Sequence, residues 1–331
     1  MSELRQDATT YDWIIIAKER AKRPDDFKRK TAPVEVPAHD PKCPFCVGNE
    51  NLTPEITAVF NEDGAWKIRA VPNKFPALTP EGDMVRAEWK FFRKTHGYGR
   101  HEIIIETPLH NETIPFMADG HVENLIRMYR DRYIAFKKDP KIKVIIIFKN
   151  HGRDAGTSLE HPHTQIVASP IVPPHIRRKY EVATQYYDNT GRSLHFDIQK
   201  AELEEGRRIV ASTKHFTVIH PFASRYPFET WIMPKEHKPS FGHITEDEIT
   251  DLARVLKEVL MKMYLSLDNP DYNFVINTAP TDDEHKSYYL WHLQIIPRLT
   301  QVAGFELGSG IFINVTIPEE TAAFMKDFRI V

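Results

Sequence analysis

The chain has 331 residues, a length typical of about two domains, and 44 Lys and Arg against 46 Asp and Glu leave a formal net charge of −2. This balance argues against duplex nucleic acid or an anionic membrane as the partner, because both select proteins with a basic excess. No apolar run reaches the ~18 residues that span a bilayer, and the charged N-terminus lacks the apolar segment of a signal peptide, so we expect a cytoplasmic protein without membrane spans.

Short apolar, β-favouring runs recur along the chain and predict strands. They cover residues 13–17, 103–105, 144–148, 165–168, 216–219, 230–233, 274–276 and 293–296. The Pro-rich segment 31–41 predicts a loop. Helical spacing predicts one helix over 122–137 and another over 247–267, the second preceded by a capping box of Thr245 and Glu248.

The predicted elements occur in the same order twice, and each series ends in His-x-Gln-Ile, at His163 and at His292. This recurrence indicates an internal duplication of a β-β-helix-β-β unit. We place the boundary near 172–195 and assign residues 1–178 to the first repeat and 179–331 to the second. Because strands outnumber helices and do not alternate with them, we predict an α+β fold of mainly antiparallel sheet with flanking helices.

The only two cysteines, Cys43 and Cys46, form a Cys-Pro-Phe-Cys pair beside a Pro-rich loop. Two cysteines this close form a poor structural disulfide, which favours a reducing compartment and a metal or redox role. No thioredoxin-like βαβ unit surrounds them, so we favour zinc. Zinc takes four ligands, and the remaining ones must be His or carboxylate; His110 and either His161 or His163 are the best candidates.

A polar Gly- and Ser-containing turn, residues 150–158, leads into His161-Pro-His163-Thr-Gln165. The backbone N–H groups and the Ser158 hydroxyl of such a turn can hold phosphate oxygens. Along a strand, residues 161, 163 and 165 point to one face, so one imidazole can bind metal while the next stays free as a nucleophile. An imidazole that attacks phosphorus divides a transfer between two phosphates into two displacements, and Gln165 can donate to the phosphoryl oxygen.

Several motifs together resemble the galactose-1-phosphate uridylyltransferases, a branch of the histidine-triad superfamily with two fused repeats. The segments that carry the resemblance run nearly from end to end: 20–24, 43–49, 71–76, 99–111, 156–165, 291–298 and 304–308. The resemblance implies transfer of uridylyl from UDP-glucose to galactose-1-phosphate through a covalent intermediate on His163, supported by Gln165. It also implies a homodimer and one structural zinc held by Cys43, Cys46, His110 and His161.

The resemblance further implies contacts to the nucleotide and the sugar phosphate. The residues concerned are Arg20, Arg23, Asn73, Phe75, Asn150, Gly156, Ser158, Phe305 and Glu306. The last two lie in a C-terminal stretch that binds the sugar phosphate, across the dimer interface in the family manner.

Relatives often hold a second metal in the other repeat, and the ligand positions differ here. Ser193 and Phe196 stand where a second Cys pair would lie, and Leu290 stands where the repeat would place the equivalent of His161. Asn277 and Gln294 replace histidines of another relative's iron site. We therefore expect no second metal of either type, although His195, Asp197 and His237 remain a candidate group.

Two alternatives stay open. Some relatives on the same scaffold phosphorolyse ADP-glucose through an adenylyl group, and many of these have His-Ser-His where this chain has His161-Pro162-His163. That Pro favours uridylyl transfer. The other alternative is a zinc-stabilised nucleotide-binding protein without turnover, against which the intact His163 and Gln165 argue.

Overall fold

The computed structural model describes residues 1–20, 22–27 and 36–330. Its strands are β1 (Glu3–Gln6), β2 (Trp13–Ile16), β3 (Ala58–Glu62), β4 (Ala65–Pro72), β5 (Ala87–Trp89), β6 (Phe92–Lys94), β7 (Arg100–Ile105), β8 (Val144–His151), β9 (His163–Ser169), β10 (Ile209–Ser212), β11 (Phe216–Ile219), β12 (Thr230–Pro234), β13 (Tyr272–Asn277), β14 (His292–Pro297) and β15 (Phe312–Asn314). Its α-helices are α1 (Asp119–Lys137), α2 (Pro174–Thr190), α3 (Leu194–Glu205), α4 (Glu246–Ser266), α5 (Gly304–Ser309) and α6 (Pro318–Asp327).

One ten-stranded antiparallel sheet connects both halves of the chain. Its strand order is β3-β4-β7-β9-β8 followed by β13-β14-β12-β11-β10. Read from either edge, each half has the same order, and the halves meet where β8 pairs with β13. The predicted duplication and the predicted α+β class are therefore confirmed. The repeated unit is larger than the predicted β-β-helix-β-β, because three strands of the large sheet precede the helix in each half. The boundary at 178/179 remains a prediction.

The helices α1 and α4 occupy equivalent places, between the third and fourth strands of each half, and pack on the same apolar core. Apolar residues of both helices and of the sheet, such as Leu125, Tyr129, Leu256 and Ile295, are almost fully buried in it. The predicted capping box of α4 is present, because the Thr245 hydroxyl accepts from the Glu248 N–H and the Glu248 carboxylate accepts from the Thr245 N–H.

Several parts of the fold differ from the sequence-based expectation, and the strands β3, β5, β6 and β10 lie outside every predicted strand run. The region expected to contain the boundary is helical, because Pro174 starts α2 in a first turn that needs no N–H and Gly191 (φ +69°) ends it. A separate three-stranded sheet, β1-β2-β15, joins the two ends of the chain and has a parallel β2/β15 pair. The predicted loop 31–41 lies partly outside the described residues, and its described part, 36–41, is irregular.

Within the described residues, no helix is both long and apolar enough to cross a membrane.

Candidate active site

Four buried side chains converge at one end of β7 and β9: Cys43, Cys46, His110 and His161. Their ligand atoms all lie within 4.8 Å of one another. The Sγ of Cys46 is 3.4 Å from Nδ1 of His110 and 3.6 Å from Nδ1 of His161. Tetrahedral coordination with ordinary Zn–S and Zn–N bonds separates such atoms by about 3.5 Å. The group therefore fits a metal ion with four protein ligands.

Hydrogen bonds from the surrounding backbone orient three of these four side chains. The N–H groups of Asp40 and Phe45 donate to the sulfur atoms of Cys46 and Cys43. Nε2 of His161 lies 2.8 Å from the Thr107 carbonyl oxygen, so Nε2 carries the proton and Nδ1 faces the sulfur. Burial lowers the pKa of His161 to about 4 and raises the pKa of the Cys43 thiol to about 11. The imidazole is neutral and ready to bind, and a cation would favour the thiolate.

His163 opens β9 two residues after His161 and is 5% exposed. Its Nδ1 lies 2.8 Å from the backbone oxygen of His161, which can only accept, so Nδ1 carries the proton. Nε2 is left with its lone pair, and no described residue hydrogen-bonds it. Burial lowers the pKa of His163, which keeps the imidazole neutral. A neutral imidazole with an unengaged Nε2 is the form that attacks an electrophile.

A buried ion pair lies beneath this strand and was not anticipated from the sequence. Nζ of Lys149 is 2.7 Å from Oε2 of Glu106, and both side chains are almost completely buried. Lys149 also donates to the His163 carbonyl oxygen at 3.3 Å. The other carboxylate oxygen of Glu106 accepts from Thr164 at 2.5 Å and from Tyr129 at 3.2 Å. The network therefore ties the His163 carbonyl group and the Thr164 side chain to α1 and β8.

The electrostatics of Glu106 agree with an ionised pair. Burial acts to raise the pKa of this carboxyl, but the charge and hydrogen bond of Lys149 outweigh burial and hold the pKa below its usual range. In the sequence, Glu106 directly follows the apolar run 103–105, and Lys149 directly follows the apolar run 144–148. The sequence alone does not show that these two charges meet.

Gln165, two residues after His163, is linked to Asn73 through His101. Nε2 of His101 lies 2.9 Å from Oε1 of Gln165, and the amide nitrogen of Asn73 lies 3.1 Å from the same ring atom. Asn73 in turn accepts the N–H of Phe75 at 2.9 Å. Phe75 is 83% exposed, so its ring is available to a ligand.

The polar turn after β8 is fixed through the second half of the sheet. Asn150 accepts from the side chain of Asn273, which also donates to the Ala155 carbonyl oxygen, both at 2.8 Å. Gly152 has φ +84°, and a Cβ there would lie 2.1 Å from the Asp271 carboxylate carbon. Glycine is therefore required for this turn to approach β13.

Parts of the turn are open to solvent, although Ala155 is buried. Gly156 and Ser158 are exposed, and Gly156 adopts φ +86° at the end of a single helical turn.

Four of the predicted substrate contacts lie on other elements. Arg20 and Arg23 are exposed and flank Lys22, whose N–H donates to the Val315 carbonyl oxygen beyond β15. Phe305 is exposed on α5, and Glu306 accepts from the N–H that precedes this helix. Among the described residues, no hydrogen bond or ion pair joins these four to the His163 cluster. Their contact with substrate therefore remains a prediction.

The candidate metal group of the second half is not assembled in the part of the chain that the structure describes. The Asp197 carboxylate accepts from Tyr186 and Arg192, which engages it away from a metal. His195 is fully buried, and neither of its ring nitrogens has a hydrogen-bond partner. Within residues 1–20, 22–27 and 36–330, the Cys43 group alone brings three or more potential ligands together.

Comparison with family models gives two matches that follow each other along the chain. Residues 1–173 match the galactose-1-phosphate uridyl transferase N-terminal domain, and residues 179–312 match its C-terminal domain. The chain belongs to the galactose-1-phosphate uridylyltransferase family. Membership in this family confirms the expectation that the chain is an enzyme of the nucleotidyltransferase type.

Individual members of this family cover nearly the whole chain. An ADP-glucose phosphorylase of Arabidopsis thaliana is 35% identical over 98% of this chain and 92% of that protein. A galactose-1-phosphate uridylyltransferase of Thermotoga maritima is 30% identical over 100% and 99%.

Solved structures give the same picture. The Arabidopsis ADP-glucose phosphorylase with bound ADP-glucose superposes with a TM-score of 0.85 at 30% identity, covering 100% of both chains. A uridylyltransferase structure superposes with a TM-score of 0.77 at 26% identity, covering 98% of this chain and 97% of that one.

Proposed function

We propose that this protein transfers uridylyl from UDP-glucose to galactose-1-phosphate through a covalent intermediate on His163. The observation that carries the proposal is the His163 ring, whose Nδ1 is engaged by the His161 carbonyl oxygen at 2.8 Å while Nε2 stays unengaged. Family membership and the T. maritima relative named a galactose-1-phosphate uridylyltransferase support the substrates.

The chemistry consists of two displacements at phosphorus. The lone pair of His163 Nε2 attacks the α-phosphorus of UDP-glucose, and the bond from this phosphorus to the bridging oxygen breaks. Glucose-1-phosphate leaves with that electron pair. A phosphate oxygen of galactose-1-phosphate then attacks the same phosphorus, UDP-galactose forms, and the P–N electron pair returns to Nε2.

The neighbouring groups have defined parts in these steps. The His161 carbonyl oxygen holds the Nδ1 proton while the ring gains positive charge on bonding to phosphorus. The side chain of Gln165 donates to a non-bridging phosphoryl oxygen, where charge develops. The turn with Asn150, Gly156 and Ser158 supplies further donors to the phosphates, and Asn73 and Phe75 border the nucleotide.

We propose that the buried Cys43 group holds one structural zinc. The two sulfur and two imidazole ligands, all buried, are the donor set of closed zinc sites. His161 connects the two sites, because its ring is a ligand and its carbonyl oxygen orients His163. A metal bound by Cys43, Cys46, His110 and His161 would hold His161 in place, and through the His161 carbonyl oxygen it would fix the position of His163.

ADP-glucose phosphorolysis is the second candidate, with phosphate as the acceptor and an adenylyl group on the same His163. A specific observation favours it: the Arabidopsis ADP-glucose phosphorylase is 35% identical over 98% of this chain, and its complex with ADP-glucose superposes with a TM-score of 0.85. Both candidate reactions use the same nucleophile, and they differ in the nucleobase of the donor and in the acceptor.

A substrate panel separates the candidates. UDP-glucose and ADP-glucose are each assayed with galactose-1-phosphate and with inorganic phosphate as the acceptor. We expect turnover with UDP-glucose and galactose-1-phosphate, and turnover confined to ADP-glucose and phosphate would replace the first candidate by the second. If no donor leaves acid-labile label on the protein, the non-catalytic nucleotide-binding alternative replaces both.

The cytoplasmic location and the homodimer are also proposed. Two thiols kept reduced for a metal suit a reducing compartment, and the family resemblance suggests the homodimer. Sedimentation of the metal-loaded protein tests the homodimer: we expect twice the mass of the 38.5 kDa chain, and the mass of a single chain would contradict it.

A further inference from the structure

The side-chain amide of Gln165 has a donor end and an acceptor end, and only the NH₂ end can donate to a phosphoryl oxygen. Which end faces the reacting phosphorus depends on what engages the other end. Here Oε1 of Gln165 lies 2.9 Å from Nε2 of His101, and no described residue accepts from the Gln165 NH₂ group. The partner that decides the orientation is therefore His101.

The protonation of His101 follows from its other ring nitrogen. The backbone N–H of Ala77 donates to Nδ1 of His101 at 3.1 Å, so Nδ1 must bear a lone pair. Burial lowers the pKa of His101, so the ring is neutral and its single proton lies on Nε2. Nε2–H then donates to Oε1 of Gln165. The side-chain nitrogen of Asn73, at 3.1 Å, is a second neighbour of Nε2.

The second half of the sheet contains the opposite arrangement. Gln165 pairs with Ile103 on β7, and His101 lies two residues before Ile103. In the second half Gln294 pairs with Trp231, and Glu229 lies two residues before Trp231. Glu229 is therefore the equivalent of His101. A carboxylate can only accept, and Gln294 donates its NH₂ group to Glu229 at 2.8 Å. Oε1 of Gln294 accepts from Asn277 at 3.3 Å. The NH₂ group of Gln294 is therefore directed toward Glu229.

We propose that His101 is a positioning residue that fixes the amide of Gln165 with its NH₂ group toward the transferred phosphoryl group. The inference rests on the proposed function, since it gives Gln165 its donor role in that reaction. In this proposal His101 acts through Gln165, and the double-mutant cycle below separates this route from any effect passed through Asn73. The exchange of a donor for an acceptor at this place is one difference between the two His-x-Gln strands.

The test measures the single-turnover rate at which His163 is nucleotidylated. The donor is whichever labelled nucleotide sugar proves to be a substrate of the wild-type enzyme. His101→Glu copies the second half and should turn the Gln165 amide around, which removes one donor from the transition state and slows the step about 10²-fold. His101→Gln retains an N–H at the position of Nε2 and should keep most of the rate. His101→Met removes the donor without adding charge and should also slow the step.

A double-mutant cycle decides whether the effect passes through Gln165. In a Gln165→Met enzyme, His101→Glu should cause no further slowing, because there is no amide left to orient. Equal slowing by His101→Glu in both backgrounds would overturn the proposal, and so would a wild-type rate in both His101→Glu and His101→Met. Metal content and thermal unfolding are recorded for each variant. Failure of the wild type itself to become labelled would instead contradict the proposed function.

Discussion

The two halves of the large sheet have the same strands in the same order, but among the described residues only the first half brings the candidate metal ligands together, beside His163. His163 and His292 occupy equivalent places, and Nδ1 faces the carbonyl oxygen two residues earlier at 2.8 Å in the first and 3.4 Å in the second. His161 provides that oxygen in the first half and Leu290 in the second. A candidate metal ligand in one half is thus an apolar side chain in the other.

The two halves also differ in the side chains that lie beneath β9 and its equivalent, β14. Lys149 pairs with Thr164 in the register of the first half, and Ile276 pairs with Leu293 at the same place in the second. Two apolar side chains therefore replace the lysine and the threonine of the buried network. The comparison teaches that the duplicated apolar pattern sets the fold, while a few polar positions on it decide which half can carry chemistry.

Separate replacement of the equivalent residues His163 and His292 should give the largest difference in catalytic rate between the two halves. We expect His163→Asn to lose at least about 10⁴-fold in kcat, because no other described group takes the place of the nucleophile. His292→Asn should retain the kcat of wild type when rates are expressed per folded enzyme. Steady-state kinetics of both variants check this, and a comparable loss in His292→Asn would remove the functional distinction between the halves.

The metal-ligand positions offer a matched pair, His110 in the first half and His237, its repeat mate, in the second. We expect His110→Gln to lose the bound metal and to unfold at lower temperature, since a closed four-ligand site contributes directly to folding. His237→Gln should keep about one metal ion per chain. Elemental analysis and thermal unfolding are the measurements, and retention of metal by His110→Gln would contradict the ligand set.

Because of the buried Lys149–Glu106 ion pair, a substitution at Lys149 should lower the free energy of unfolding more than a substitution at Ile276, its equivalent in the second half. Lys149→Met leaves the Glu106 carboxylate buried without its partner and should destabilise the protein by about 3–5 kcal/mol. Ile276→Val at the equivalent place should cost only about 0.5–1.5 kcal/mol. Urea unfolding compares the two variants.

The double variant Glu106→Gln, Lys149→Met should recover a large part of the stability lost in Lys149→Met, because no uncompensated charge remains. A double variant less stable than Lys149→Met would show that the unpaired carboxylate is not the cause.

The equivalent helices should show the smallest effect. Thr245 caps α4 through its side chain, whereas Ala118 precedes α1 without a side-chain cap. We expect Thr245→Ala to cost about 1 kcal/mol and Ala118→Ser to add stability of similar or smaller size. Chemical denaturation of the two variants would contradict the account if Thr245→Ala had no effect.

Much of this molecule could be predicted from its sequence because the informative residues are close together along the chain. The Cys43 pair and the His161-Pro-His163-Thr-Gln165 run predicted the side chains that come together as the candidate metal group beside His163, and the repeated His-x-Gln-Ile indicated the duplication. Strand runs such as 144–148 were found from their continuous apolar character, although β8 continues to His151 through polar residues.

What sequence reasoning missed depends on contacts between distant segments. The pairing of Glu106 with Lys149 and of His101 with Gln165 requires the register of neighbouring strands, which no local pattern specifies. The helix α2 was missed because Pro173 and Pro174 suggested a break, whereas a proline in the first turn starts a helix. The small sheet was missed because β1 and β15 are short and lie at opposite ends of the chain.

The most direct test of the account is to locate the covalent nucleotide on the polypeptide. The enzyme is reacted with each nucleotide sugar without acceptor, quenched in alkali to preserve a phosphoramidate, digested, and its peptides are identified by mass spectrometry. We predict one nucleoside monophosphate per chain, attached to His163 and released by sugar phosphate or phosphate. Attachment to His292, or to any residue outside the first half, would contradict the assignment of the chemistry to that half.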